Sequence, residues 1–149
     1  MKSLFNEKDN QEIIRRFNNL TTNSKPDWGK MEVSQMVQHC TLSLKACLGE
    51  IKPKRAFTGI LFGKMIKKKI LSSDFLRKNT PTSKEYVVKE NLNLDDVKLT
   101  LISYIRKFVE SGREAVTKET HPFFGKMTVG EWDILMCKHL DHHLMQFGV

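Results

Sequence analysis

TVGEWDILMCKHLDHHLMQF, residues 128–147, is the stretch that decides how this chain is read. Thr128 followed by Glu131 has the form of a capping box, in which the two side chains satisfy backbone amides at the start of a helix. Beyond it Trp132, Leu135, Met136, His139 and His143 recur at the three- and four-residue spacings of one helix face. Side chains four apart lie one above the other. His139 and His143 therefore point the same way, and their place on the apolar stripe turns them inward. His142 is rotated by roughly 100° from each neighbour, so a packing or interface role is expected for it. Asp141 faces away from the stripe and is expected in solvent. The residues between the paired histidines are Leu140, Asp141 and His142, so this is not the HExxH of zinc proteases.

Three more helical patterns lie upstream. Ile13, Ile14, Phe17 and Leu20 predict a helix over about Glu7 to Leu20, followed by a polar loop containing Pro26. Val33, Met36, Val37, Cys40, Leu44, Cys47 and Leu48 predict a second over Val33 to Leu48, stopped by Gly49. Val97, Leu101, Ile105, Phe108 and Val109 predict a third over Leu94 to Ser111, with acidic Asp95 and Asp96 at its dipole-favoured start. The long crossover Glu50 to Asn93 holds Phe57, Ile60, Leu61, Met65 and Ile66, which predict a short amphipathic helix at most, and then Tyr86, Val87 and Val88, read as extended. No alternating strand pairs occur, so the expected class is all-α.

The approach to the last helix has a counterpart. Gly29-Lys30-Met31-Glu32-Val33 matches Gly125-Lys126-Met127-Thr128-Val129, and each copy opens a helix that carries histidine. The repeat suggests two related helical pairs. His39, beside the apolar stripe of the second helix, is then the natural third ligand to the His139–His143 pair. Three neutral imidazoles with a fourth position for water make an open, reactive metal centre. His121, before Pro122, is expected to anchor a loop. Gln35, Gln38 and Glu131 are candidates for orienting the ligands.

The bulk composition agrees. With 149 residues, 40% apolar and 28% charged, the chain suits one globular domain over 1–149. No apolar run approaches the ~20 residues of a membrane span, and the polar, acidic start does not resemble a secretory signal, so a cytoplasmic protein is expected. Cys40, Cys47 and Cys137 form no CxxC and are expected as reduced, buried thiols. The net charge of +8 is concentrated in Lys52-Pro53-Lys54-Arg55 and Lys67-Lys68-Lys69. Such a surface attracts nucleic acid or anionic membrane in some proteins; here it is read as a solvated face, with neither nucleic acid nor membrane expected as a partner. No Ser-His-Asp arrangement or activated cysteine is evident.

The chain resembles the DinB/YfiT-like superfamily, which includes bacterial thiol transferases. The resemblance rests on Trp28-Gly29-Lys30-Met31 with Gln35-Met36-Val37-Gln38-His39, on His121-Pro122-Phe123-Phe124-Gly125-Lys126-Met127-Thr128 leading to Glu131-Trp132 and His143, and on Gln146-Phe147-Gly148. It implies a four-helix bundle, up-down-down-up, with a long crossover between helices 2 and 3. It also implies nickel or zinc held by His39, His139 and His143, the residues the spacing had already singled out. The implied activity is that of a metal-dependent thiol S-transferase or hydrolase acting on a small-molecule substrate with a low-molecular-weight thiol. The competing expectation is a non-catalytic metal- or ligand-binding bundle. Exposed Phe57, Leu61 and Phe62 make a homodimer a further expectation.

Overall fold

In a computed structural model describing residues 2–73, 75–117 and 119–149, the chain forms five α-helices: α1 (Glu7–Asn18), α2 (Val33–Cys47), α3 (Phe57–Ser72), α4 (Leu94–Glu110) and α5 (Val129–Gln146). Single 3-10 turns lie at Lys84–Tyr86 and Arg113–Ala115. Among the described residues there is no strand, only an isolated bridge between His121 and Gly125. The protein is all-helical, as the periodicity requires.

Each helix boundary has a local cause. The Asn6 side chain accepts from the Asp9 amide to open α1, and the Asn93 side chain accepts from the Asp95 and Asp96 amides to open α4. These bonds satisfy amides that no preceding turn supplies. Glu32 with Gln35 and Thr128 with Glu131 close capping boxes on α2 and α5. In both, a glycine three residues upstream of the cap takes a positive φ, +84° at Gly29 and +75° at Gly125. The sequence repeat is thus a structural repeat, a left-handed glycine corner feeding a capped helix. At the end of α2 the Gly49 amide donates to the Ala46 carbonyl and the Glu50 amide to the Lys45 carbonyl, with Gly49 at φ +76°. This is the Schellman stop that residue 49 foretold.

The predicted stripes meet in one core. Ile13 and Phe17 of α1, Cys40 and Leu44 of α2, Leu101, Ile105 and Phe108 of α4, and Leu140 and Leu144 of α5 are buried in a single cluster. Each such side chain contributes ~1.5–3 kcal/mol relative to exposure. α2 packs against α4 and α5, and α1 against the same two helices. Cys40, Cys47 and Cys137 are free and buried, and burial pushes the Cys137 thiol up to about 12, so these are inert core side chains.

The crossover departs from expectation. It holds a 16-residue helix rather than a short one, and the tyrosine of the expected extended stretch lies in a 3-10 turn that packs on α2. α3 escaped prediction at that length because it buries only two glycines, Gly59 and Gly63, with Ile66 and Ile70 only half-buried on the same side, so its inward apolar stripe is weak. No helix among the described residues is long and apolar enough to cross a membrane.

Candidate metal centre

The helical register of α2 and α5 brings His39, His139 and His143 together, their candidate ligand atoms all within 4.8 Å of one another. The His39 Nε2 lies 3.0 Å from the His139 Nε2, and the His143 Nε2 lies 3.2 Å from it. A tetrahedral ion with bonds of ~2.0–2.1 Å sets its ligand nitrogens about 3.3 Å apart. The observed spacing is therefore close to that of a shared cation. His39 and His143 are 4% and 7% exposed. The i, i+4 geometry of α5 aligns its pair, and the packing of α2 on α5 adds the third ring.

The donor set is oriented from behind. His39 Nδ1–H donates to the Tyr86 carbonyl at 2.9 Å, since a carbonyl only accepts. Nδ1 of His143 lies 2.8 Å from the Gln146 Oε1. The Gln146 amide nitrogen donates to the Trp28 carbonyl, which leaves Oε1 as the atom facing the ring, so this Nδ1 also carries its proton. Both rings are thereby locked in the tautomer that presents an Nε2 lone pair to the centre. His139 Nδ1 is buried without a partner among the described residues, so polar contact to this ring comes from the Nε2 side. A single N–H on His139 Nε2 would have to be shared between two acceptors, whereas one cation satisfies three lone pairs at once. The residues present fit a divalent metal.

The electrostatics keep all three rings neutral. Burial lowers the His39 pKa, opposed in part by the Tyr86 carbonyl. Burial, with the neighbouring His39 second, pushes His143 down to about 3. Half-buried His139 is driven well below its ordinary value by desolvation, then by His143 and His39. Neutral imidazole is the metal-binding form, so the site needs no proton release near pH 7.

The remaining predicted residues sort by geometry. His142 is buried and packs its ring 5.6 Å from Trp28 and 5.3 Å from His143, in the packing role its register requires. His121 anchors its loop, its Nδ1 accepting from the Phe123 and Phe124 amides, both at 3.1 Å. Gln35 completes the α2 cap and reaches the Lys89 carbonyl; Glu131 caps α5 and pairs with Lys67. Neither touches the imidazoles, and no hydrogen bond joins Gln38 to them among the described residues. Asp141 is not free in solvent: it pairs with Arg16 of α1, which the pattern of α5 alone did not reveal.

Sequence reasoning missed the supports. Gln146 follows His143 by three residues, a legible neighbour spacing on a helix. Its clamp depends on Gly29, where a Cβ would stand 2.6 Å from the Gln146 amide nitrogen. The Asp27 amide also donates to the Gln146 carbonyl at 2.8 Å, so the corner at 27–29 is fastened to the end of α5. The Tyr86 carbonyl, from the crossover, gave no sequence signal.

Fold and cluster together define an all-helical protein with a convergent three-imidazole centre. The family model described as "Protein of unknown function (DUF1569)" matches residues 2–148, and the chain belongs to that family. This corrects the resemblance to the DinB/YfiT-like superfamily: the matching family is not named as part of that superfamily, and the assignment falls with it. The motifs that carried the resemblance, glycine corners, capped helix starts and an i, i+4 histidine pair, are imposed by helix geometry and do not by themselves mark descent. No curated protein and no solved structure matches the chain.

Proposed function

We propose that this protein is a divalent-metal enzyme, with His39, His139 and His143 as the ligands and zinc or nickel as the ion. Imidazole nitrogen suits both metals. The observation that carries the reading is the pair of fixed tautomers, His39 held by the Tyr86 carbonyl and His143 by Gln146. A set of histidines packed merely to fill space has no need of two rings locked with lone pairs on one point. The metal, when bound, supplies a Lewis acid with a fourth position that lowers the pKa of a water or thiol. The protein's own groups orient the ligands and keep them uncharged. Two reaction classes follow: hydrolysis, and transfer of a low-molecular-weight thiol to an electrophilic small molecule.

The burial of His39 and His143 favours a second reading, a non-catalytic metal- or ligand-binding bundle. In either case we read α1, α2, α4 and α5 as a four-helix bundle of up-down-down-up order within a single domain, with α3 in the crossover. The packing of α1 and α2 on both α4 and α5 supports that arrangement.

Elemental analysis of untagged protein expressed with nickel and zinc available tests the metal. About one ion per chain is expected, with a large loss in His143→Ala. A metal-free wild type ends the proposal. A panel of thiols with an electrophilic acceptor, together with ester and amide substrates, separates the readings: turnover lost in His143→Ala supports the enzyme, and a loaded protein without turnover supports the binding module.

A further inference from the structure

α3 is built inside out. Its buried residues are Gly59 and Gly63. A Cβ would stand 2.5 Å from the Phe123 carbonyl oxygen at Gly59 and 2.0 Å from it at Gly63, so the bare helix backbone lies directly on the 121–125 loop. The large apolar side chains point the other way. Phe57, Leu61 and Met65, spaced by four, are 73%, 61% and 67% exposed, and Ile60 and Phe62 beside them are 57% and 51% exposed. Soluble surfaces seldom leave a contiguous stripe of this kind uncovered.

The charge around the stripe selects what covers it. Residues 51–72 contain no aspartate or glutamate. Lys52 and Lys67 are paired with Glu119 and Glu131, while Lys64, Lys68 and Lys69 form no ion pair among the described residues. At 100° per residue, Lys64 falls between Ile60 and Phe57, Lys68 between Phe57 and Leu61, and Lys69 between Met65 and Phe62, so the three lysines share the outward face of the stripe. A second copy docking the same helix would bring lysine against lysine. A nucleic acid would use the lysines and leave the stripe in water. An anionic leaflet satisfies both, taking the apolar side chains into the acyl boundary while the lysines extend to the headgroups. At 16 residues the helix is too short to span a bilayer and suited to lying in its surface.

We propose that α3 is a peripheral docking helix for anionic membrane, seating Phe57, Leu61 and Met65 below the headgroups with Lys64, Lys68 and Lys69 on the lipid phosphates. The proposal is independent of the metal centre.

Co-sedimentation of the full-length protein with vesicles tests it, comparing phosphatidylcholine alone with an equal mixture of phosphatidylcholine and phosphatidylglycerol. The protein is expected to sediment with the mixed vesicles and stay in solution with the neutral ones. Leu61→Glu, a surface change whose folding is checked by circular dichroism, is expected to abolish sedimentation. Glutamine at 64, 68 and 69 together is expected to weaken binding by roughly a hundredfold at low salt, about fivefold per lysine. No sedimentation with mixed vesicles overturns the proposal, as does binding indifferent to Leu61→Glu. A dimer in the ultracentrifuge that Leu61→Glu converts to monomer, with no vesicle binding by the wild type, overturns it and assigns the stripe to a second copy.

Discussion

Replacing Gln146 with leucine isolates the orientation of the centre from its ligands. The change leaves His39, His139 and His143 in place and removes the acceptor 2.8 Å from the His143 Nδ1. Without that acceptor the ring can carry its proton on Nε2, pointing a hydrogen at the metal position, and the rotamer loses its outer support. An unmade bond to a buried donor costs ~1–3 kcal/mol. At 1.4 kcal/mol per factor of ten, that is roughly a 5- to 150-fold loss of affinity, in line with the 10- to 100-fold typical of groups that orient metal ligands. Competition against a chromophoric zinc chelator at pH 7 measures the ratio directly. The metal-free unfolding midpoint, measured alongside, separates ligand orientation from general damage. Gly29→Ala acts on the same support from the far side, because its Cβ would displace the Gln146 amide, and it is expected to weaken zinc in the same direction. A Gln146→Leu variant within twofold of the wild-type affinity refutes the argument that the fixed tautomers serve a metal.

Two predictions concern stability. Burial pushes His121 down to about 4 from an ordinary value near 6.5 in the unfolded chain, and a proton on its Nδ1 would break both bonds to the 123 and 124 amides. Below pH 6.5 the unfolded chain binds a proton that the folded one refuses. The contribution is therefore complete above that pH and is lost as pH falls towards 4; urea titrations should show His121→Asn with a shallower acid decline than wild type. Asp133, 4% exposed, accepts from the Leu4 amide at 2.7 Å and the Ser3 hydroxyl at 2.6 Å, tying the N-terminal residues to α5. Asp133→Ala leaves a buried amide unpaired and should destabilise by ~1–3 kcal/mol, a fall in Tm of roughly 2–12 °C in calorimetry at 2–4 °C per kcal/mol. An unchanged Tm would show that water replaces the carboxylate.

Most of the helices follow from rules that act between near neighbours in the chain. Capping pairs, glycine stops and three-four spacing marked α1, α2, α4 and α5 to within a residue or two, because helix boundaries depend on neighbours in the chain. The same periodicity placed His139 over His143. The extent of α3 was invisible, since its glycine face is meaningful only against the Phe123 backbone that meets it. The tertiary structure alone decided that the His39 ring reaches the α5 pair, that the Tyr86 carbonyl and the Trp28–Gly29 corner stand behind the ligands, and that Asp141 pairs with Arg16. Those contacts join residues far apart along the chain, and their geometry is set by how whole helices pack, which no local spacing encodes.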